Sequence, residues 1–152
     1  MGEGKGLKVN IPWDIPDGPT VEGKIIDMDY VQAFKEIVIP VIKEFNSELI
    51  IISAGFDAMK GDPLGKISLS PWVFHWMTKS LLEVNPRIMV TLEGGYNLKM
   101  LTKGTNSCIS ALLGMERKIP KEIAVQKPTK EGLEAIRKCK EALKKYWKCL
   151  ES

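Results

Sequence analysis

Two short runs of aliphatic residues constrain the fold of this chain more than any other feature. Residues 49–53 (LIIIS) and 88–92 (IMVTL) are continuous apolar runs rich in β-branched side chains. Such runs predict strands that are covered on both faces, which is typical of a parallel sheet. Residues 7–11 (LKVNI) alternate apolar and polar side chains and predict a third strand. Because helical patterns separate the three runs, we expect an α/β fold with three layers and a parallel sheet.

Four segments repeat apolar residues at the spacing of an amphipathic helix. Local signals mark where these helices begin, bend or end, because capping side chains accept free amides and proline lacks an amide hydrogen. The marker residues are Asp27 or Asp29 at the start of the first helix, Pro40 as a kink within it, Ser70 and Pro71 at the start of the second, Gly114 at the end of the third and Thr129 at the start of the fourth. The side chains predicted to face inward from the third helix are Leu98, Leu101, Cys108, Ile109 and Leu112.

Length and composition bound the class of protein. With 152 residues, 44% hydrophobic and 27% charged, the chain fits one globular domain. No apolar run approaches the ~20 residues of a membrane span, and the first residues carry no hydrophobic secretory segment, so we expect no membrane partner. The three cysteines form no C-x-x-C pair, and we interpret them as reduced thiols in an intracellular compartment.

The single histidine, His75, limits the chemistry that this chain can perform alone. Catalytic zinc is usually held by His or Cys ligands, and a Ser or Cys nucleophile usually needs a His base. His75 lies between Phe74 and Trp76 in a predicted helix, and we interpret it as a packed or surface residue rather than a ligand. The chain is therefore either not a hydrolase or only part of one. The open edges of a three-stranded sheet are a second indication that part of the structure is encoded elsewhere.

The net charge of +3 is unevenly distributed along the chain. Residues 121–152 carry a net charge of +4, and residues 1–120 a net charge of −1. A basic segment can contact nucleic acid or an acidic protein. Here, however, acidic residues are interspersed among the basic ones, as on a solvated helix. We therefore expect no direct binding of nucleic acid and interpret residues 121–152 as a basic helical tail.

Both buried runs end in sequences that carry reactive side chains. The first continues through SAGFD to GDPLG, and the second continues into EGGYN. Because the carboxyl ends of parallel strands meet at one edge of a sheet, we expect Asp57 and Tyr96 to lie at the same rim. A carboxylate is a metal ligand, and a phenol can donate a hydrogen bond to a developing oxyanion. Taken singly, each feature also fits a structural role: Asp57 as a turn or capping residue, Gly94-Gly95 as a tight turn, Tyr96 as a packing residue and Asp62-Pro63 as the start of a turn.

Taken together, the two loops resemble a known family. The motif S-A-G-F-D-x-x-x-x-D-P-L-G, followed by L-E-G-G-Y-N-L, is similar to the C-terminal part of the zinc-dependent histone deacetylases, most closely the class II enzymes, in which Glu precedes Gly-Gly-Tyr. The opening G-E-G-K-G-L-K-V-N-I-P-W and the helix I-V-I-P-V-I-K-E-F fit the same family, and the resemblance covers residues 2–114. It implies an arginase-like α/β fold, with residues 1–120 as the C-terminal part of the catalytic domain. The helical tail, residues 121–152, resembles the ends of class IIa members.

The resemblance also implies roles for individual residues. Asp57 matches one of two aspartates that, with a histidine, hold Zn²⁺ in this family, and Tyr96 matches the tyrosine whose hydroxyl polarises the acetyl carbonyl. Gly94 and Gly95 match glycines beside the acetyl-lysine channel, and Leu64 matches an apolar position of the channel wall. The family's D-x-H motif, with the other two zinc ligands, and its paired histidines, which activate the water, have no counterpart in this sequence. We therefore expect this chain alone neither to hold Zn²⁺ nor to be active.

The function implied by the resemblance is that of a protein-lysine deacetylase, of which this chain is one part. Many class IIa enzymes carry His where Tyr96 stands and act weakly on acetyl-lysine, so Tyr96 implies a competent enzyme. The polyamine-deacetylase branch carries Glu at the position of Leu64, so Leu64 favours N6-acetyl-lysine in histones or other proteins as the substrate. Corepressor proteins are the further partners that the family implies, and the expected location is the nucleus, the cytoplasm or both.

Two alternatives to this interpretation differ from it in testable ways. A non-catalytic interaction module, using its sheet edge or its last helix, would be soluble, folded and free of zinc as it stands. A small-molecule amidohydrolase of the same superfamily would, at full length, act on acetylated amines but not on acetyl-lysine peptides.

Overall fold

The computed structural model describes Gly2, residues 4–15 and residues 24–151. The strands β1 (Ile50–Ala54) and β2 (Ile88–Leu92) pair in parallel, with Ile50 opposite Ile88 and Ala54 opposite Leu92. The crossover between them passes through a helix, which confirms the predicted α/β arrangement of these two strands. In the described part of the chain, no helix is long and apolar enough to cross a bilayer. In chain order the elements are α1 (Asp27–Ala33), a π-helical segment (Phe34–Val38), α2 (Ile39–Phe45), β1 (Ile50–Ala54), α3 (Pro71–Val84), β2 (Ile88–Leu92), α4 (Leu98–Leu112), α5 (Lys121–Ala124), α6 (Lys130–Leu143) and a 3₁₀ turn (Lys148–Leu150).

The prediction of a strand over residues 7–11 is wrong. This segment joins no sheet. Val9 and Ile11 pack against the cluster that contains the end of the chain, whereas Leu7 is 60% exposed. The Asn10 carbonyl accepts a hydrogen bond from Cys139 Sγ at 3.0 Å, and the Gly6 carbonyl accepts one from Trp147 Nε1 at 2.8 Å. The alternating pattern therefore reflects packing of one face of an extended segment on the tail rather than pairing in a sheet.

The prediction that both faces of the strands are covered is also wrong for this chain. Ile52 and Val90 pack against the core, but Ile51 is 59% exposed and Met89, directly opposite it, is 51% exposed. Side chains alternate between the two faces of a strand, so these residues define one uncovered face. We call the side of the sheet that carries Ile51 and Met89 the bare sheet face.

The helix boundaries follow the predicted signals closely. Ser70 Oγ accepts the Trp72 amide at the start of α3, and Thr129 Oγ1 accepts the Gly132 amide at the start of α6. Gly114 has a φ of +70° just beyond the end of α4, as a helix-ending glycine requires. These observations confirm three of the predicted helix ends.

The first helix starts and bends in ways that the sequence indicated only in part. Asp29 Oδ2 accepts the Ile26 amide at the start of α1, whereas Asp27 Oδ1 accepts the amide of Ser70 and so ties α1 to α3. Pro40 does not end the helix. The backbone widens into the π-helical segment directly before it, and this segment is where the disturbance predicted at Pro40 falls.

The predicted inward face of α4 is partly wrong. Cys108 is buried, but Leu98 is 76% exposed and Ile109 is 47% exposed. The buried positions of α4 are small residues, which allow a close approach to α3 that larger aliphatic side chains would prevent. The residues buried in α4 are Gly104, Ser107, Cys108 and Ala111.

Two hydrophobic clusters hold the described residues together. The strand cluster lies between β1, β2, α3 and α4, and the tail cluster lies between the first helix and residues 136–150. The strand cluster is formed by Val31, Ala54, Phe56, Met59, Leu69, Trp72, Val73, Phe74, Cys108 and Ile123. The tail cluster is formed by Ala33, Ile37, Val41, Ile136, Cys139, Leu143, Trp147 and Leu150.

The basic tail is docked on the first helix rather than projecting from it. Asp29 is fully buried and accepts hydrogen bonds from the Thr129 amide at 2.7 Å and from the Thr129 hydroxyl, which joins the starts of α1 and α6. On the outer side of α6, Arg137 pairs with Glu134 at 2.7 Å. The interspersed charges therefore form local ion pairs, as expected for a solvated helix face.

Candidate active-site rim

The parallel pairing of β1 and β2 brings the two motif loops to one edge of the sheet. The pairing continues beyond the strands, because the Glu93 amide donates to the Ala54 carbonyl at 3.0 Å and the Phe56 amide donates to the Gly94 carbonyl at 2.8 Å. We call the two segments that follow, residues 55–65 and 93–97, the rim loops. The predicted meeting of the two motifs at one rim is therefore confirmed.

The Asp57 carboxylate lies against glycine backbone from both rim loops. A methyl group built on Gly94 would lie 3.1 Å from Asp57 Oδ2, and one built on Gly55 would lie 3.0 Å from Asp57 Oδ1. Both distances are tighter than ordinary contacts, so glycine at these positions leaves room for the carboxylate. Asp57 itself is exposed.

Gly65 and Gly95 allow the rim loops to pack closely. A methyl group on Gly65 would overlap the Asp57 carbonyl oxygen at 1.7 Å. Gly95 has a φ of +136°, a backbone conformation that favours glycine, and a methyl group on it would lie 2.9 Å from Phe56 Cβ. The predicted turn at Gly94-Gly95 therefore needs a positive φ only at Gly95, whereas Gly94 is needed for the close approach of Asp57.

Tyr96 presents its ring to solvent from a loop that is anchored on both sides. Its side chain is 56% exposed. Its amide donates to Asp62 Oδ2 at 2.7 Å, and the next residue, Asn97, donates from Nδ2 to the Gly61 carbonyl at 2.9 Å. Asn97 Oδ1 also accepts the Met100 amide at the start of α4. The backbone of Tyr96 is thus held by hydrogen bonds while its side chain is mostly exposed.

Leu64 projects from the other rim loop and is 69% exposed. The turn that carries it is built on Asp62, whose Oδ1 accepts the amides of Leu64 and Gly65, each at 2.9 Å. The interpretation of Asp62-Pro63 as the start of a turn is confirmed. What the sequence did not reveal is that the second carboxylate oxygen of Asp62 reaches the other rim loop.

The Asp62 carboxylate therefore joins the two rim loops. Burial alone would raise the pKa of the Asp62 carboxyl, but hydrogen bonds from the amides of Tyr96, Gly65 and Leu64 hold it below its usual value. The carboxylate is consequently ionised at neutral pH and accepts charge-assisted hydrogen bonds. The D-P-L-G motif signals the turn, but no local pattern signals a partner 34 residues away.

The described residues supply only part of a zinc site. Among residues 4–15 and 24–151 no three His, Cys, Asp or Glu side chains gather closely enough to hold a metal ion. Asp57 offers one carboxylate of the type that zinc binds, and a single carboxylate does not hold a catalytic zinc. The residues present therefore do not fit a complete zinc centre.

His75 is packed inside the protein, as interpreted from the sequence. It is 2% exposed, and its Nδ1 lies 3.0 Å from Ser110 Oγ and 3.3 Å from the Ser107 carbonyl. Burial lowers the pKa of His75, with the positive charges of Arg117 and Lys79 acting in the same direction. His75 thus belongs to the contact between α3 and α4 and not to the rim.

The parallel sheet brings a glycine-lined carboxylate and an exposed phenol to one rim of an α/β protein, and comparison with known proteins identifies its family. The family model of the histone deacetylase domain matches residues 1–112. The chain belongs to the histone deacetylase family. The resemblance stated from the sequence is thereby confirmed.

Individual relatives agree with this assignment. The chain is 37% identical to Histone deacetylase 18 of Arabidopsis thaliana over 99% of its length, and 38% identical to Histone deacetylase 5 of the same plant over 98%. It covers 21% of each of these proteins, so it spans about a fifth of the curated relatives that it matches.

Solved structures show the same fold. The histone deacetylase Clr3 superposes with a TM-score of 0.88 at 32% identity, covering 99% of this chain and 24% of that one. The HD domain of HDA15 superposes with a TM-score of 0.82 at 33% identity, covering 96% of this chain and 38% of that one. The predicted fold class, a portion of an arginase-like α/β fold with a parallel sheet, is confirmed.

Proposed function

We propose that this chain is the C-terminal part of a zinc-dependent protein-lysine deacetylase and that its rim loops form one side of the catalytic centre. The observation that carries the proposal is the meeting of two motifs at the strand ends. The Asp57 carboxylate lies against Gly94, two residues before Tyr96, although these residues belong to separate loops. A metal ligand and a hydrogen-bond donor at one rim are two of the groups that metal-assisted amide hydrolysis uses.

Tyr96 is the residue that acts on the substrate in this proposal. Amides are poor electrophiles, so their hydrolysis needs stabilisation of the charge that develops on the acyl oxygen. The Tyr96 hydroxyl donates a hydrogen bond to that oxygen, and a donor in this role contributes about 10²–10³ in rate. The fixed backbone and exposed ring of Tyr96 suit this task.

Asp57 contributes one zinc ligand in the complete enzyme. Bound zinc polarises a carbonyl group and makes water a nucleophile near neutral pH. The remaining ligands and the base that activates the water belong to parts of the domain outside this chain. We propose that residues 1–120 form the end of the catalytic domain and residues 121–152 its basic helical tail.

The substrate is proposed to be N6-acetyl-lysine in a histone or another protein. Leu64, exposed beside the rim, offers an apolar wall to the aliphatic part of a lysine side chain and no charge for a second amine. By the family resemblance, Gly94 and Gly95 would lie beside the acetyl-lysine channel. Corepressor proteins as partners and a location in the nucleus or cytoplasm belong to the same proposal.

The bare sheet face supports the view that the domain is incomplete. Ile51 and Met89 pair across two strands and are both more than half exposed. In the described residues the sheet has two strands, so both of its edges carry unpaired backbone groups. We propose that the rest of the deacetylase domain covers this face, and that the isolated chain is inactive.

The test of this proposal uses a completed domain, in which residues 1–152 replace the matched segment of Arabidopsis Histone deacetylase 18. Tyr96→Phe removes one hydroxyl and should lower kcat on an acetyl-lysine peptide by about 10²–10³ while zinc content stays the same. Tyr146→Phe, the same change in the tail, is the matched control and should retain activity. A completed domain in which Tyr96→Phe turns over at the unsubstituted rate would remove Tyr96 from the mechanism. Isolated residues 1–152 that are soluble, folded and free of zinc, together with a completed domain that has no turnover, would favour the non-catalytic interaction module. Turnover of acetylated amines alone would favour the small-molecule amidohydrolase.

A further inference from the structure

We propose that Asp62 is a positioning residue of this site, whose single carboxylate sets the placement of Tyr96 relative to the turn that carries Leu64. The inference rests on the proposed function of Tyr96 and Leu64. Asp62 does not itself meet the substrate, because it is 8% exposed whereas the two residues that it holds are 56% and 69% exposed.

The two oxygens of Asp62 divide between the two rim loops. Oδ1 accepts the amides of Leu64 and Gly65 at 2.9 Å each, and Oδ2 accepts the amide of Tyr96 at 2.7 Å. The carboxylate is planar and rigid, so one group links the Leu64 turn to the Tyr96 backbone, beside the hydrogen bond from Asn97 Nδ2 to the Gly61 carbonyl. No other side chain among the described residues accepts the Tyr96 amide.

Asp62 is itself anchored to the core. Its amide donates to the carbonyl of Met59, a residue with no exposed surface in the strand cluster. The Tyr96 ring, being mostly exposed, has few contacts of its own to define its position. The placement of the Tyr96 hydroxyl therefore depends on its backbone, and through Asp62 on the core.

An asparagine cannot replace this carboxylate. Asn has one acceptor oxygen and an NH₂ group, so one of the two rim loops would face a donor instead of an acceptor. Asparagine is almost the same size as aspartate, so Asp62→Asn tests the need for the second acceptor oxygen without creating a cavity. Because a displacement of about 1 Å at a catalytic group costs on the order of 10² in rate, we expect kcat to fall about 10- to 100-fold.

The experiment is a double-mutant cycle in the completed domain, with kcat, KM and thermal unfolding measured for each variant. Asp62→Asn should lower kcat more than it raises KM. If Asp62 acts through the Tyr96 hydroxyl, Asp62→Asn in the Tyr96→Phe background should lower kcat by less than about threefold further. An equal loss of kcat in both backgrounds would overturn the inference, because the carboxylate would then act only on general structure.

Asp27→Asn is the matched control. Asp27 is also buried, at 4% exposure, and also accepts a backbone amide, but that of Ser70, a residue outside the rim loops. The substitution Asp27→Asn should reduce thermal stability and leave kcat unchanged. If Tyr96→Phe alone has no effect, the proposed function fails. If instead Tyr96→Phe is inactive and Asp62→Asn is as active as the unsubstituted protein, only the inference about Asp62 fails.

Hydrogen exchange gives a second readout that does not depend on a folded variant. In the unsubstituted completed domain the Tyr96 amide should exchange as slowly as the Glu93 amide, which donates to the Ala54 carbonyl at the end of the sheet. Fast exchange at Tyr96, comparable to that of an open loop, would contradict a fixed hydrogen bond to Asp62.

Discussion

The bare sheet face predicts that one substitution changes the free energy of unfolding by very different amounts in the isolated chain and in the completed domain. Ile51→Lys places a charge at a position that is 59% exposed in this chain. Full burial of an isoleucine side chain contributes about 1.5–3 kcal/mol, and only about two fifths of this one is buried, so the change should cost the isolated chain about 1 kcal/mol. It should also reduce self-association, because it breaks an exposed apolar pair with Met89.

In the completed domain the same lysine would lie beneath the covering layer. Burial of an unpaired charge costs several kcal/mol, and we expect a loss of about 3–5 kcal/mol in the free energy of unfolding, with loss of deacetylase activity. Urea unfolding of both forms measures the difference. Val125→Lys, at a position that is 80% exposed beyond α5, is the control and should be mild in both forms. An Ile51→Lys effect that is equally small in both forms would refute the argument that this face is covered.

Two further predictions concern the packing of the helices. Gly104→Ala in α4 would place a methyl group 2.4 Å from Phe56 Cδ1 and 2.8 Å from Met59 Sδ, and should destabilise the protein by about 1–3 kcal/mol in urea unfolding. Gly4→Ala is the control and should be nearly neutral, because its methyl group would have no atom within 4 Å. Equal effects of the two changes would contradict the packing described. For His75, burial holds the pKa below the unfolded value of 6.5, so the unfolded state binds the proton more readily and stability falls as the pH drops below about 6.5. Unfolding free energies measured between about pH 5 and pH 8 should show this fall in the unsubstituted protein and a smaller one in His75→Gln; an unchanged profile would remove His75 as the cause.

Local patterns predicted the elements that depend on local chemistry. The run at residues 88–92 is the strand β2 with the same bounds, and the caps at Ser70 and Thr129 are where the sequence placed them. Each of these signals acts within a few residues, through β-branched side chains or through a hydroxyl that reaches the next turn. The meeting of Asp57 and Tyr96 at one rim followed from one further rule, the shared edge of parallel strands.

The predictions that failed depend on partners far along the chain or outside it. The alternating residues 7–11 are satisfied by the tail, with Asn10 and Cys139 separated by 129 positions. The pattern of apolar residues in a strand does not show whether a covering layer is present, and no layer covers Ile51 among the described residues. The hydrogen bond from the Tyr96 amide to Asp62 likewise depends on the pairing of the two strands, which brings the rim loops together.

The zinc content of three purified proteins tests the central claim most directly. Our account predicts about one zinc per molecule in the completed domain, none retained by residues 1–152 alone, and a strong loss of zinc when Asp57→Ala is introduced into the completed domain. Full zinc occupancy in the Asp57→Ala protein would contradict it, because the rim carboxylate would then not belong to the metal centre.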